Sequence, residues 1–154
     1  MKPSKPPFYP HRRQLLAGLV LVSVVNKLGA TMQEMTAAIT AYTQGVQAQA
    51  GRVVLEVAQL VDNGNTVPVT IRVQSPMSAT DHVTGIALFN ERNPQTLVAT
   101  FALGPRAGKA EVATRIRLAT SQKLVAVARM SDGSCWFAAA DVVVTLAACS
   151  EGDN

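Results

Sequence analysis

The feature of the sequence that most constrains its fold is a strict alternation of apolar and polar residues. Residues 66–73 (TVPVTIRV) place an apolar side chain at every second position: Val67, Val69, Ile71 and Val73. Residues 111–118 (EVATRIRL) alternate in the same way. A two-residue period is typical of a β-strand with one buried face. Pro68 lies on the polar face and predicts that the first of these strands is at a sheet edge, because proline cannot donate a ladder hydrogen bond.

Other short apolar runs complete a set of eight predicted strands. The six further candidates are residues 52–57, 83–89, 97–103, 123–130, 135–139 and 141–146. Turn signals separate them, among them DNGN at 62–65 and SDGS at 131–134. Many short strands without helical crossovers predict an all-β fold, an immunoglobulin-like antiparallel β-sandwich. One amphipathic helix, residues 32–49, is predicted before the first strand, with Gly45 marking its fraying and Gly51 its stop.

The first 30 residues have the composition of an export signal. Residues 1–14 are basic and rich in proline, and Leu15–Val25 (LLAGLVLVSVV) is an apolar run that is too short to span a membrane, which takes about 20 residues. Arg12 and Arg13 directly precede this run and predict a twin-arginine signal, with cleavage after Ala30 and delivery to the bacterial periplasm.

This signal gives the chain four predicted parts: a signal peptide (1–30), a helical segment (31–51), a β-sandwich (52–146) and a C-terminal arm (147–154). The chain has 154 residues, which fits a single domain of about 100–150 residues after the signal.

The charge of the predicted mature protein argues against nucleic acid as a partner. The whole chain carries a formal charge of +4, but five of its 14 basic residues and none of its acidic residues precede Thr31. Nine basic residues therefore stand against ten acidic ones in the rest of the chain. A nucleic-acid-binding surface needs a marked basic excess to neutralise phosphates, so we expect no nucleic-acid function and no stable membrane span.

The sequence offers little material for catalysis. His82 is the only histidine after the predicted signal, so a serine or cysteine nucleophile has few possible bases. One histidine and two cysteines do not make a closed zinc site. We expect no metal, no cofactor and no self-contained enzyme.

The two cysteines differ in their surroundings. Cys135 precedes Trp136 and Phe137, which is typical of a small buried hydrophobe. Cys149 follows the last predicted strand, close to the end of the chain, where segments are usually mobile. The residues alone leave three interpretations open: a Cys135–Cys149 disulfide in an oxidising compartment, a tethered functional thiol at Cys149, and an inert cysteine.

Four segments resemble one family of proteins. They are DNGNTVPVTIRVQSPM (62–77), GIALFNERNPQ (85–95), VATFALGPRAGKAEVATRIRLATSQ (98–122) and VAVARMSDGSCWFAAADVVVTLAAC (125–149). Together they resemble SoxY, the sulfur-carrier subunit of the periplasmic thiosulfate-oxidising system. The resemblance implies an immunoglobulin-like sandwich exported by a twin-arginine signal and paired as a heterodimer with a second β-protein, SoxZ. It also implies that separate enzymes conjugate, hydrolyse and oxidise sulfur held on the carrier.

In that family the sulfur is held on the cysteine of a Gly-Gly-Cys-Gly-Gly arm, which corresponds here to Cys149. The flanking glycines are replaced by Ala147, Ala148, Ser150 and Glu151, which is similar to a SoxY-related branch with an Ala-Ala-Cys-x-Glu arm. Alanine restricts the backbone more than glycine does, so we expect a stiffer arm. The charge of Glu151 is expected to raise the pKa of the Cys149 thiol.

The resemblance therefore favours a covalent sulfur carrier that is not itself an enzyme. Two alternatives stay open. In one, the sandwich is a binding or assembly subunit whose two cysteines form a structural disulfide. In the other, Cys149 acts catalytically in a redox enzyme.

Overall fold

The computed structural model describes Met1 and residues 31–146. These residues form one helix, α1 (Met32–Tyr42), and nine strands. The strands are β1 (Gln49–Ala50), β2 (Val53–Glu56), β3 (Leu60–Asn63), β4 (Val67–Val73), β5 (Val83–Asn90), β6 (Leu97–Ala102), β7 (Glu111–Ile116), β8 (Gln122–Met130) and β9 (Cys135–Leu146). One turn of 3₁₀ helix, Pro105–Ala107, lies between β6 and β7. Within the described residues, no helix is both long enough and apolar enough to cross a membrane.

Helix α1 begins at a capping box and is shorter than the sequence predicts. The Glu34 amide donates to Thr31 Oγ1, and the Thr31 amide donates to Glu34 Oε2 at 2.7 Å. These two bonds satisfy amides that have no partner within the helix. The prediction that the helix continues to residue 49 is wrong. Gln44 and Gly45 have positive φ angles of 56° and 82°, and such left-handed residues terminate a helix.

The strands form the predicted β-sandwich. The larger sheet has the order β1–β9–β8–β5–β6, with β3 also paired to β9, and the smaller sheet has the order β2–β4–β7. The ladders of β4, β5 and β8 are antiparallel, whereas β1 and β3 run parallel to β9. The two predicted strands at 135–139 and 141–146 are a single strand, because Ala140 continues the ladder by pairing with Leu124.

Strand β4 confirms the alternation but not the edge position. Its burial alternates as predicted, with all four apolar side chains buried. The prediction of an edge strand is wrong, because β4 lies between β2 and β7. The proline is accommodated because the pairing of β2 with β4 ends at the pair Glu56–Thr70. Pro68 therefore lies past the end of β2, where that side of β4 needs no ladder donor.

The apolar core has two parts. The main core fills the space between the sheets, and its largest fully buried aliphatic side chains are Ile71, Ile86, Leu88, Leu118 and Leu124. A second cluster lies between α1 and the outer face of the larger sheet, and consists of Met35, Ala87, Phe89, Val125 and Val127. Strands β5 and β8 are thus buried on both faces, which explains why their sequences are continuous apolar runs rather than alternating ones.

A matched pair of leucine truncations would test this assignment of the core. Leu124 is fully buried, whereas Leu60 is 62% exposed. We expect Leu124→Ala to lower the free energy of unfolding by about 2–5 kcal/mol, because it leaves a cavity in the core. Leu60→Ala should lower it by less than about 1 kcal/mol. Urea denaturation followed by circular dichroism measures both values. Equal losses in the two variants would contradict the assignment.

Candidate functional site at the end of strand β9

The predicted site lies just past the last residue that the structure describes. The predicted arm residues Ala147, Ala148, Cys149, Ser150 and Glu151, and the signal residues Arg12 and Arg13, fall outside the described residues. Leu146, at the end of β9, is the last described residue before the predicted arm. The structure therefore describes the last four residues of β9, Val143–Leu146, which we call the root of the arm, and the surface around them.

Strand β3 holds the root along one side. It runs parallel to the end of β9, and its register pairs Leu60 with Val143 and Asn63 with Leu146. Two further backbone bonds extend this pairing: the Val143 amide donates to the Gln59 carbonyl at 2.8 Å, and the Gly64 amide donates to the Leu146 carbonyl at 2.9 Å. The last described residue is therefore fixed by a backbone hydrogen bond.

The side chain of Ser121 holds the root from the turn before β8. Ser121 Oγ accepts a hydrogen bond from the Val144 amide at 2.8 Å and lies 3.4 Å from the Val144 carbonyl oxygen. The pairing of β9 with β8 ends at the pair Val142–Gln122. The contact with Ser121 therefore attaches β9 beyond the end of that pairing. Sequence reasoning missed Ser121 and Gly64, because a serine and a glycine between strands look like ordinary turn residues.

The surface next to the root combines apolar side chains with one cation. Leu146 is 67% exposed and Val143 is 53% exposed. Arg117 Nη2 lies 3.4 Å from Asn65 Oδ1, and the Leu118 amide donates to the Gly64 carbonyl at 2.8 Å. The chain just past β7 is thus bonded to the same glycine that binds the Leu146 carbonyl.

Cys135 lies at the opposite end of β9. It is a free cysteine, is only 2% exposed and pairs in register with Arg129. Burial raises the pKa of its thiol; the Arg129 cation lowers it and Asp132 adds a smaller increase. A buried thiol with a raised pKa is a poor nucleophile at neutral pH. The prediction of a small buried hydrophobe is confirmed.

The length of β9 separates Cys135 from the arm. The 12 residues of β9 span about 36 Å between the first and last Cα atoms. Residues 147–149 can carry the Cys149 Cα at most about 11 Å from that of Leu146. The two cysteine Cα atoms are then at least about 25 Å apart while β9 is intact, whereas a disulfide requires about 7 Å or less.

His82 and the charged side chains of the smaller sheet are held in a turn and in ion pairs. His82 Nδ1 lies 3.0 Å from the Ser78 carbonyl oxygen. Arg72 bridges Glu56 and Glu111 across the smaller sheet, and hydrogen bonding to Glu111 is the main cause of its raised pKa. In the part of the chain that the structure describes, no three His, Cys, Asp or Glu side chains come together as a metal site.

Solved structures with a similar fold include a sulfur carrier protein and superoxide reductases. The structure of the sulfur carrier protein SoxY from Chlorobium limicola f thiosulfatophilum is 30% identical to this chain, with a TM-score of 0.63, and the match covers 74% of this chain and 98% of that one. A superoxide reductase (neelaredoxin) from Ignicoccus hospitalis is 16% identical, with a TM-score of 0.56 and coverage of 77% and 96%. At such low identity, the second similarity shows the fold alone.

A comparison with curated proteins finds no match. Residues 38–149 match the family model described as sulfur oxidation protein SoxY. This match covers most of the chain, including nearly all of the described sandwich, and it ends at Cys149. The chain belongs to the SoxY family.

Proposed function

We propose that the protein is a covalent sulfur carrier that holds a sulfur intermediate on Cys149 and presents it to separate enzymes. The observation that carries the proposal is the family match, which runs through Cys149, together with a root that is hydrogen-bonded as far as Leu146. A solved relative is a sulfur carrier protein. The intermediate is a thiosulfonate or sulfane group in a disulfide-like bond to the Cys149 sulfur.

The physical advantage of such an arrangement is tethering. A covalently held intermediate cannot diffuse away, and a short tether presents it to each enzyme at high effective concentration. The root at Leu146 keeps the Cys149 Cα within about 11 Å of one fixed point on the sandwich. The partner enzymes therefore have to bind the end of the sandwich where β9 finishes, close to Val143 and Leu146.

The separation of the two cysteines argues against the alternative of a structural disulfide. A Cys135–Cys149 bond would require β9 to leave the ladders that it forms with β8 and β3. Cys135 is also buried at the far end of the strand. A carrier thiol must be free to be charged again after each transfer, and this separation supports a free Cys149.

Membership of the SoxY family supports the choice of partners and compartment. We propose a SoxZ-like β-protein as the heterodimer partner, and Sox-type conjugating, hydrolysing and oxidising enzymes as the enzymes that act on the arm. Arg12 and Arg13 support twin-arginine export to the periplasm. Catalysis belongs to those enzymes, so the purified chain alone should show no turnover on a sulfur donor. Turnover by the isolated chain would favour the redox-enzyme alternative.

The first test compares the two cysteines in protein isolated from the periplasm. Wild-type protein and Cys135→Ala should carry sulfur adducts that a reductant removes, whereas Cys149→Ser should carry none, because only Cys149 is loaded. Intact-mass spectrometry measures the adducts. Cys149→Ser should change the free energy of unfolding by no more than about 0.5 kcal/mol, as for surface substitutions. Adducts on Cys149→Ser, or a Cys135–Cys149 disulfide in the wild type, would contradict the proposal.

A second test concerns the rigidity of the root. Ser121→Ala removes the acceptor of the Val144 amide and should lower the free energy of unfolding by about 1 kcal/mol. It should also reduce the protection of the Val144 amide in native-state hydrogen exchange. Thr145→Val is the control, because Thr145 Oγ1 makes only exposed bonds to the Val61 and Asp62 carbonyls. Unchanged protection of Val144 in Ser121→Ala would show that Ser121 does not hold the root.

A further inference from the structure

Arg117 is one of several cations of the sandwich that have no anionic partner among the described residues, and it is the one that contacts Asn65 beside the end of β9. Four of the nine basic side chains there are engaged: Arg72 and Lys123 form ion pairs, and Arg52 and Arg129 lie over the rings of Trp136 and Tyr42. The described contact of the Arg117 guanidinium is the one to Asn65 Oδ1. A guanidinium has five N–H donors, so most of them are available to a ligand.

Two consecutive hydrogen bonds bring Arg117 close to the root of the arm. Its neighbour Leu118 donates to the Gly64 carbonyl, and Gly64 donates to the Leu146 carbonyl. Segments bonded in this way lie about 5 Å apart, so Leu118 is about 10 Å from Leu146. The Cys149 Cα can lie up to about 11 Å from Leu146. Arg117 is therefore within reach of a group attached to the Cys149 sulfur.

The backbone around Arg117 is fixed while its side chain is exposed. Asn93 Nδ2 donates to the Arg117 carbonyl at 2.8 Å, and Asn93 Oδ1 accepts from the Ala119 amide at 3.0 Å. Asn65, which contacts the guanidinium, is itself positioned by a bond from its amide to Asn63 Oδ1. The cation thus extends from a backbone that is already fixed, so binding an anion has to order only the side chain of Arg117.

We propose that Arg117 binds the negatively charged end of the sulfur adduct on Cys149. The inference rests on the carrier function proposed above and names the residue that recognises its cargo. A thiosulfonate ends in an –SO₃⁻ group, and the planar guanidinium fork suits such oxyanions. Asp62 lies on the β3 side of the root, where its carbonyl accepts from Thr145 Oγ1. The negative charge of Asp62 disfavours an anion on the β3 side of the root, which is consistent with a site at Arg117.

The test loads Cys149 chemically in the full chain, in a Cys135→Ala background with a single thiol. The Cys149 thiolate attacks an inner sulfur of tetrathionate, displaces thiosulfate and becomes Cys149–S–S–SO₃⁻. Iodoacetamide gives a neutral carbamidomethyl adduct for comparison. Arg117→Gln is compared with Arg106→Gln, which removes the same charge from the turn after β6. That turn follows Leu103, whose amide bonds to the Thr84 carbonyl near the far end of the sandwich.

Two readouts are expected to depend on Arg117. The thiosulfonate should shift the backbone amide resonances of Asn65, Arg117 and Leu118 in the parent and in Arg106→Gln, and this shift should be lost in Arg117→Gln. The neutral adduct should leave these resonances nearly unchanged. The rate of loading by tetrathionate, divided by that of iodoacetamide, should fall about two- to fivefold in Arg117→Gln, the range of an exposed ion pair. In about 1 M salt, which screens such charges, the ratios of the parent and of Arg117→Gln should become nearly equal.

Anion-dependent shifts that persist in Arg117→Gln, or equal shifts with the neutral adduct, would overturn the inference. An unchanged rate ratio in Arg117→Gln would also count against it. Because tetrathionate needs no partner enzyme, these results are independent of the carrier role in the cell. Failure of that role would appear as unmodified Cys149 in periplasmic protein, whereas failure of the Arg117 site would appear as unchanged resonances and rates in chemically loaded protein.

Discussion

The hydrogen bonding of the last four residues of β9 is the constraint on which the proposed function depends. Strand β3 bonds these residues along one edge, and Ser121 accepts from the Val144 amide after the β8 ladder has ended. Without these contacts, the end of β9 would extend from the sandwich as an unpaired strand, and Cys149 would have no fixed reference point. With them, the proposed tether has a fixed starting point at Leu146, and the three residues from there to Cys149 limit how far the sulfur could move.

The sandwich could be predicted from the sequence where burial leaves a periodic pattern. Strand β4 has one face in the core, so its alternation specified both the strand and its buried side chains. The short strands β1 and β3 leave no such pattern, because they are two and four residues long and largely exposed. The chain alternates between the sheets, with β1 and β3 in the larger sheet and β2 and β4 in the smaller one. The parallel pairing of β1 and β3 with β9 depends on this path and not on a local sequence pattern. The helix end was also missed, because a left-handed φ at Gln44 is not encoded by hydrophobic spacing.

The two cysteines show how far the candidate site could be predicted. The burial of Cys135 was predictable from its aromatic neighbours, because local apolar context usually reports burial. A role for Cys149 came from the family resemblance, since composition alone could not distinguish a tethered thiol from a disulfide. The lower bound of about 25 Å on the distance between the two cysteine Cα atoms depends on β9 being one continuous strand. The sequence reading divided β9 at Ala140, and two strands joined by a bend would not have given that separation.

The residues that replace the family's glycines around Cys149 bear on how strongly Arg117 would hold the adduct. Alanine allows fewer backbone conformations than glycine, so with alanine at positions 147 and 148 we expect fewer directions to be open to the thiol and the position of the root to matter more. Glu151 brings a negative charge onto the same short segment as the anionic adduct, and two such charges repel each other. A cation near the root offsets this repulsion most when the adduct is loaded. In a stiff acidic arm, Arg117 would therefore contribute more to holding the cargo than it would in a neutral glycine-rich arm, where the adduct is the only anion.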